Sequence, residues 1–285
     1  MKFFFRHISI FYLRFRLLRS FGYLSRKEAA FLNRDLLGKS GIKLGLLTVA
    51  FNNADIITFQ YNQLKRNLLD NFVYVIVDNS TNQEESRKMA QFSKDLGLVY
   101  VKLPPNPFSG LNPSKSHGLA VNYAYKNVVA KSAISHFGFL DHDIFPAAET
   151  TIMEKLDHKP FYGLVQKRGG VCYLWAGFCF FSKEYLVGKR VNFMPVRGLD
   201  TGGGNYALYD PRIIARIAND HFYVNLKTNS RVESSYQGIQ KDCIEVIDGW
   251  VHLMDSSNWS GGTADKNKFD LTFILKSIHY ETHNR

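Results

Sequence analysis

The chain of 285 residues lacks the features that mark several protein classes. It has three cysteines, Cys172, Cys179 and Cys243, and no C-x-x-C pair, so neither a disulfide framework nor a zinc knuckle is indicated. Buried thiols in a reducing, cytoplasmic setting fit this cysteine content. No internal repeat or low-complexity tract is found. The length suits one large α/β domain, or one domain with an appendage.

The amino terminus lacks a long uncharged apolar run. In residues 1–20 no uncharged run exceeds seven residues, which is too short to cross a bilayer, and no small-residue cleavage site follows. The segment instead mixes aromatic and leucine side chains with five Lys and Arg. Such a segment suits peripheral contact with the anionic inner face of the cell membrane. The alternative is an amphipathic helix that packs on the rest of the protein.

Net positive charge is scarce outside the amino-terminal part. The net charge is +11, yet residues 1–43 alone hold ten Lys and Arg against two acids. The body of the chain is therefore nearly neutral, which argues against a nucleic-acid-binding surface, and we expect no nucleic-acid partner. We expect a basic amphipathic segment over residues 1–40 and a single domain over 41–285.

Alternating strand and helix patterns begin after residue 41. Apolar, β-branched runs predict strands over 44–51, 72–77 and 98–103, and helical spacing predicts helices over 55–69 and 84–96. This order predicts right-handed βαβ units and a mostly parallel sheet with helices on its faces. Residues 104–116 are predicted to form a long loop, and 117–131 a third helix. Ligands of such sheets bind beyond the carboxyl ends of the strands.

Two carboxylates follow the next predicted strand. Residues 137–140 are apolar and lead directly into Asp141 and Asp143. If the strand continues, both side chains point to the same side because side chains alternate with period two. Paired carboxylates at a strand end suit Mg²⁺ or Mn²⁺ carrying a diphosphate.

The order of these elements resembles a GT-A glycosyltransferase, most similar to the family-2-like bacterial enzymes, over roughly residues 42–260. The motifs that carry the resemblance are Thr48-Val-Ala-Phe-Asn-Asn53, Val75-Ile-Val-Asp-Asn-Ser80, His117-Gly-Leu-Ala-Val-Asn122, Asp141-His-Asp143, Gly177-Phe-Cys-Phe-Phe181 and Leu199-Asp-Thr-Gly-Gly203. The resemblance implies a GT-A (Rossmann-like), mostly parallel central sheet flanked by helices. It also implies a nucleoside-diphosphate sugar as donor and a glycan or lipid-linked acceptor.

The resemblance implies donor-binding roles for residues at the strand ends. Ala50 and Asn52 are expected to wrap the nucleotide base and ribose, and Asp78 to bind the base or ribose. His117 and Asn122 stand where such enzymes place contacts to the donor sugar or the diphosphate. These five residues, together with Asp141, are the expected donor site.

The resemblance also implies a metal set and a catalytic base. Asp141 faces the ribose and the metal, Asp143 is a direct ligand, and His252 completes the metal shell; a structural histidine is the alternative for His252. Asp200 is expected to be the base that activates the acceptor hydroxyl. The family more often has an acidic pair before a helix, whereas here Asp200 stands alone before Thr-Gly-Gly, and a helix cap is the alternative.

The expected function is a metal-dependent, inverting glycosyltransferase of cell-surface polysaccharide synthesis. Breaking the bond from sugar to diphosphate develops negative charge that a divalent cation stabilises. A sugar nucleotidyltransferase is a second hypothesis, but its basic glycine-rich loop is missing after the first strand. A third is a non-enzymatic protein that binds membrane or nucleic acid through its basic arm.

Overall fold

The structure is a computed structural model that describes residues 22–39, 41–217, 221–225, 230–232 and 243–253. The basic segment over residues 1–20 lies outside these ranges. Among the helices within them, none combines the length and the apolar character needed to span a bilayer.

A central sheet of eight strands organises the molecule. From one edge to the other its strands are Ala30–Leu32 (β1), Val99–Lys102 (β4), Phe72–Asp78 (β3), Leu44–Ala50 (β2), His136–Leu140 (β5), Val171–Ser182 (β8), Phe161–Arg168 (β7) and Ile214–Ala215 (β9). The four neighbours β4, β3, β2 and β5 run parallel, while β1, β8 and β7 pair antiparallel. The predicted α/β class with a mostly parallel central sheet is confirmed.

Helices lie against this sheet in the order Ala54–Asn67 (α1), Gln83–Leu96 (α2), Pro113–Ala124 (α3) and Met153–Leu156 (α4). The first two match the predicted helices within two residues. The prediction of a helix over 117–131 is wrong at its start, because Asn112 caps α3 and Pro113 occupies its first turn. The predicted loop is correspondingly shorter. Beyond α3 the chain continues as a π-helical turn, Tyr125–Val129.

A second sheet of five strands stands beside the first. Its antiparallel strands are, in order, Ser230–Val232 (β11), His221–Asn225 (β10), Cys243–Ile247 (β12), Trp250–His252 (β13) and Ile144–Pro146 (β6). Because β6 starts only four residues after β5 ends, the chain passes from one sheet to the other through residues 141–143.

The core occupies both faces of the central sheet. Every residue of β2 is buried, as expected of a strand covered on both sides. Leu47 and Val49 belong to the cluster that includes Tyr123 of α3, while Leu44 and Leu46 belong to the cluster on the opposite face. Fully burying an aliphatic side chain contributes about 1.5–3 kcal/mol, so this strand is a rigid base for the residues at its end.

Residues 22–39 contribute to the same sheet. β1 pairs with β4, and Tyr23 is buried with its ring edge-on to that of Tyr123 at a centroid distance of 5.6 Å. The Tyr123 hydroxyl donates to the carbonyl oxygen of Arg26 at 2.9 Å. This part of the predicted amino-terminal segment therefore packs on the domain.

Candidate active site

Asp141 and Asp143 occupy the turn between the two sheets. The backbone N–H of Asp141 donates to the carbonyl of Gly177 at 2.8 Å, which holds the end of β5 against β8. The buried Gln60 of α1 donates to the carbonyl of Asp141 at 2.7 Å and to that of Ile144 at 2.5 Å. The two carboxylates therefore converge because the turn is fixed at both ends; Asp143 lies in that turn and not on a continued strand.

His252 reaches this turn from the second sheet. It pairs with Ile144 in the β6–β13 register, and the N–H of Leu253 donates to the carbonyl of Asp143 at 2.9 Å. One ligand atom from each of Asp141, Asp143 and His252 lies within 4.8 Å of the others. Two carboxylate oxygens and one imidazole nitrogen thus point to one place.

The electrostatics of this group favour a cation. Burial raises the pKa of Asp141, and the Asp143 carboxylate raises it further, against the opposing effect of His117. Burial would lower the pKa of His252, but the carboxylates of Asp143 and Glu245 outweigh it and raise the pKa to about 9. Two close carboxylates repel each other unless a positive charge lies between them. A divalent metal would supply that charge and displace the imidazole proton.

A buried carboxylate orients the histidine. Glu245 lies opposite His252 on β12, and its Oε2 is 2.7 Å from His252 Nδ1. Its other oxygen is 2.7 Å from His221 Nε2 and accepts from the Tyr223 hydroxyl at 2.9 Å. Burial would raise the pKa of Glu245, but these hydrogen bonds hold it well below its usual range. An ionised acceptor at Nδ1 leaves Nε2 free to ligate a metal, the arrangement typical of metal-bound histidines.

Trp175 covers one side of the histidine. Its ring centroid lies 5.2 Å from that of His252, and a Cβ added at Gly177 would come within 2.3 Å of the indole. The absence of a side chain at Gly177 therefore makes room for the indole.

One cavity of about 270 Å³ contains the metal candidates and the expected base. Its polar lining includes Asp141, Asp143, His252, His117 and Asp200. Each was singled out from the sequence for the donor, metal or base role, and the structure places all five together. His117 Nε2 is 3.4 Å from Asp141 Oδ1.

His142, between the two aspartates, is a further buried wall of this cavity. Its Nδ1 has no hydrogen-bond partner within the described part of the chain. Buried polar atoms are paired in most proteins, so a buried nitrogen without a partner is unusual.

Asp200 is held beside the start of α3. Its carboxylate accepts from the N–H of Thr201 at 2.7 Å, and the Thr201 hydroxyl donates to the carbonyl of Ser114 at 3.1 Å. The 3-10 helix that follows, Gly203–Leu208, has Gly202 as its cap residue, so the helix-cap alternative for Asp200 is wrong. The glycines at 202–204 pack tightly against their neighbours. A Cβ at Gly202, for example, would meet the carbonyl oxygen of Leu174 at 2.3 Å.

Asp78 serves an internal network. Its side chain has no exposed surface; it accepts from the Tyr100 hydroxyl at 2.7 Å and lies 3.1 Å from the Lys102 ammonium. Asp78 does not line the metal cavity, whereas the next residue, Asn79, does.

The other expected donor residues also have internal contacts. Ala50 is buried within β2. Asn52 has a positive φ of 51°, and its Oδ1 accepts from the N–H groups of Thr81 and Asn82, each at 2.9 Å. Asn122 accepts from the N–H of Phe193 at 2.8 Å. These three residues are not part of the metal cavity wall.

Glu245 was missed in the sequence although a signal was present. Asp248 and Gly249, both with positive φ, form a two-residue turn between β12 and β13. An Asp-Gly pair between apolar runs is a strong hairpin signal. Counting outward from that turn pairs Glu245 with His252.

Several solved structures are similar to this chain. No family model matches the chain, and no curated protein matches it. Among solved structures, the mannosyltransferase PcManGT from Pyrobaculum calidifontis, in complex with GDP-Man and Mn²⁺, is 15% identical over 69% of this chain and 61% of that chain, with a TM-score of 0.41. The galactosyltransferase LgtC, in complex with donor and acceptor sugar analogues, is 12% identical over 48% and 57%, with a TM-score of 0.35.

A third similar structure is the mannosyltransferase Ktr4p from S. cerevisiae, 11% identical over 60% of this chain and 65% of that chain, with a TM-score of 0.34. The chain spans less than two thirds of the length of each of these three proteins. All three are named as sugar transferases. The candidate site is defined by the residues of this chain alone.

Proposed function

We propose that this chain is a metal-dependent, inverting glycosyltransferase that uses a nucleoside-diphosphate sugar. The observation that carries the proposal is the convergence of Asp141, Asp143 and His252 within 4.8 Å, in one cavity with Asp200. A binding protein that used only its basic arm would have no need of such a group.

The donor set fits a divalent metal of the Mn²⁺ kind. Carboxylate oxygens suit both Mg²⁺ and Mn²⁺, but Mg²⁺ is held mostly by oxygen, whereas imidazole suits transition metals. When bound, such an ion acts as a Lewis acid on the leaving diphosphate. Three protein ligands leave positions for phosphate oxygens and water.

The nucleotide is proposed to lie toward the ends of β2 and β3. From the metal candidates the cavity extends along Val49, Phe51 and Asn79. His117 lines this cavity and is proposed to donate a hydrogen bond to a diphosphate or sugar oxygen. The proposed roles of Asn52 and Asp78 are indirect, since both shape these strand ends through their own hydrogen bonds.

Asp200 is proposed as the general base. Its carboxylate is half-buried and lies in the same cavity as the metal ligands. An acceptor hydroxyl bound there loses its proton to Asp200 as its oxygen attacks the anomeric carbon. Such proton transfer contributes roughly 10²–10⁴-fold to the rate. Attack from the face opposite the diphosphate inverts the anomeric configuration.

The proposed setting is the cytoplasmic face of the membrane, where lipid-linked acceptors of polysaccharide synthesis are available. Residues 1–20, which lie outside the described residues, would attach the enzyme there through their basic and aromatic side chains. The cysteine content supports a reducing compartment.

Ligand-dependent thermal stability tests the donor site. UDP, GDP, CDP and dTDP are each added with Mn²⁺, Mg²⁺ or EDTA to the wild type, Asp143→Asn and Asp157→Asn. Asp157 is an exposed matched control. One nucleotide should stabilise only with metal, by about 2.7 kcal/mol at a hundred times its Kd, in the wild type and the control but not in Asp143→Asn. Failure of all four nucleotides to stabilise the wild type would overturn the proposal.

Asp200→Asn separates base catalysis from binding. This variant should keep the metal-dependent nucleotide binding and lose sugar transfer by roughly 10²–10⁴-fold. Transfer at the wild-type rate would remove Asp200 from the mechanism while leaving the donor site in place.

A further inference from the structure

A second cleft adjoins the metal cavity on the side of Asp200. It has a volume of about 530 Å³ and shares two wall residues, Ser114 and Asp200, with the metal cavity. Three cations, Lys115, Arg168 and Arg197, line this cleft, which is here called the basic cleft. None of these three cations lines the metal cavity.

Two of the cations have no internal counter-charge. Within the described part of the chain Lys115 and Arg197 form no ion pair, whereas Lys102 lies 3.1 Å from Asp78 and Lys155 lies 3.0 Å from Asp248. Asp200 is the only carboxylate of the cleft wall among the described residues. The cleft therefore carries excess positive charge although the body of the chain is nearly neutral.

The backbone holds Arg197 at an unusual position. Arg197 and Gly198 have φ values of 50° and 79°, and the N–H of Leu199 closes the turn onto the carbonyl of Val196 at 2.8 Å. Residues other than Gly, Asn and Asp rarely adopt a positive φ, and such outliers cluster at ligand sites. Buried Leu199 anchors this turn directly before Asp200.

We propose that the acceptor is anionic and that the basic cleft binds its oxyanion, a phosphate or a carboxylate, while its hydroxyl faces Asp200. This inference rests on the proposed glycosyltransferase function. The diphosphate of the donor belongs with Asp141, Asp143 and His252, so the cations beyond Asp200 remain for the other substrate. An arginine fork and an ammonium bind either oxyanion through charge-assisted hydrogen bonds.

The oxyanion takes no part in the bond changes. The acceptor oxygen forms the new bond to the anomeric carbon, the bond from that carbon to the diphosphate breaks, and the proton of the hydroxyl passes to Asp200. The cleft fixes the acceptor so that this hydroxyl, and no other, lies beside the base.

Three small probes of related shape test the inference on the full chain. Glycerol 3-phosphate, glycerate and glycerol are titrated by calorimetry into protein saturated with Mn²⁺ and the nucleoside diphosphate that stabilises it. At least one anionic probe should bind, and glycerol should not; which anion binds more tightly identifies phosphate or carboxylate as the recognised group.

Variants locate the binding. Lys115→Gln and Arg197→Gln should each lower the affinity for the anionic probe roughly tenfold, as expected for loss of a charge-assisted hydrogen bond. Arg197→Lys should retain most of the affinity. Arg66→Gln, an exposed cation at the end of α1, is the matched control and should leave the affinity unchanged. Arg197→Gly is a second variant that keeps the positive φ and removes only the guanidinium.

Three results would overturn the inference. The first is that the anions bind no better than glycerol. The second is that the cleft variants and Arg66→Gln behave alike. The third is that the anion competes with the nucleoside diphosphate and so occupies the donor site. If the nucleotide and Mn²⁺ bind but the probes do not, only this inference fails. If the nucleotide and Mn²⁺ do not bind at all, the proposed function fails first and the anionic acceptor falls with it.

Discussion

At the scale of single residues, Glu245 decides how His252 is presented. The imidazole lies between two carboxylates, with Nδ1 2.7 Å from Glu245 and Nε2 3.6 Å from Asp143. Glu245→Gln replaces the ionised acceptor by an amide of the same shape and no longer fixes the tautomer. We predict that Mn²⁺ affinity, measured by calorimetry, falls roughly 10–100-fold.

His221→Gln is the control for that prediction. It removes a partner of the other Glu245 oxygen and leaves the bond to His252 in place. A loss of Mn²⁺ affinity as large as that of Glu245→Gln would mean that the network acts only by holding the second sheet together.

Asn52, which is predicted to bind the donor, also stabilises a backbone turn. Its side chain accepts from two N–H groups while its own φ is 51°. The side chain also donates to the Thr81 hydroxyl at 3.1 Å. Asn52→Ala loses these hydrogen bonds and strains the backbone. Asn52→Gly loses only the hydrogen bonds, and Asn52→Asp keeps the acceptor but loses the donor.

We predict that the free energy of unfolding decreases from Asn52→Asp to Asn52→Gly to Asn52→Ala. For Asn52→Ala it should lie about 2–4 kcal/mol below the wild type in urea unfolding. Equal stability of the Gly and Ala variants would show that the positive φ carries no strain. A stable Asn52→Ala that lost nucleotide binding would support the predicted donor-binding role of this residue.

At the scale of elements, local sequence patterns predicted the central strands but not the pairing of strands that are distant in the chain. β2, β3 and β4 are short β-branched runs, each recognisable alone. β6 and β13 have three residues each and are far apart in the chain, so nothing local shows that they pair. His252 was therefore placed beside the aspartates by resemblance. Glu245 is a different case, because the local Asp248-Gly249 hairpin signal pairs it with His252.

The contact between α3 and residues 193–195 is a second feature at this scale. A Cβ at Gly118 would come within 2.9 Å of Pro195 Cδ and 3.0 Å of the Phe193 carbonyl oxygen. Gly118→Ala gains helix propensity of about 1 kcal/mol but forces these backbones apart.

We predict that Gly118→Ala lowers the free energy of unfolding by about 1–3 kcal/mol in spite of its better propensity. The matched control is Ser93→Ala near the end of α2, which leaves the backbone contacts of α3 intact. A more stable Gly118→Ala protein would show that the segment yields without strain.

At the scale of the whole molecule, the amino-terminal part has two portions with different expected effects. Residues 22–39 supply β1 and the buried Tyr23, while residues 1–21 precede the described part. Deletion of residues 1–40 should lower stability by at least about 3 kcal/mol, since loss of a buried aromatic alone costs about 3–5 kcal/mol.

Deletion of residues 1–21 should leave urea unfolding and nucleotide binding unchanged and abolish binding to anionic vesicles. Unchanged vesicle binding in that deletion would reject the membrane role of the segment. Lost nucleotide binding would instead favour a protein that acts through its basic arm.

The metal candidates join the two sheets. Asp141 follows β5 of the central sheet, His252 belongs to β13 of the second sheet, and Asp143 lies in the turn between them. A ligand that binds only when all three are in place must dissociate before the sheets can separate. Its binding free energy is therefore added to the cost of opening the second sheet.

We predict that Mn²⁺ with the stabilising nucleotide slows hydrogen exchange in β12 and β13 by up to about 100-fold at a hundred times Kd. The effect should persist in Asp157→Asn and vanish in Asp143→Asn. The Asp143→Asn protein without ligand is the baseline, because the substitution itself can change the exchange rates of β13. Protection confined to the ends of β2 and β3 would mean that the nucleotide binds without His252, so that the second sheet contributes nothing to the donor site.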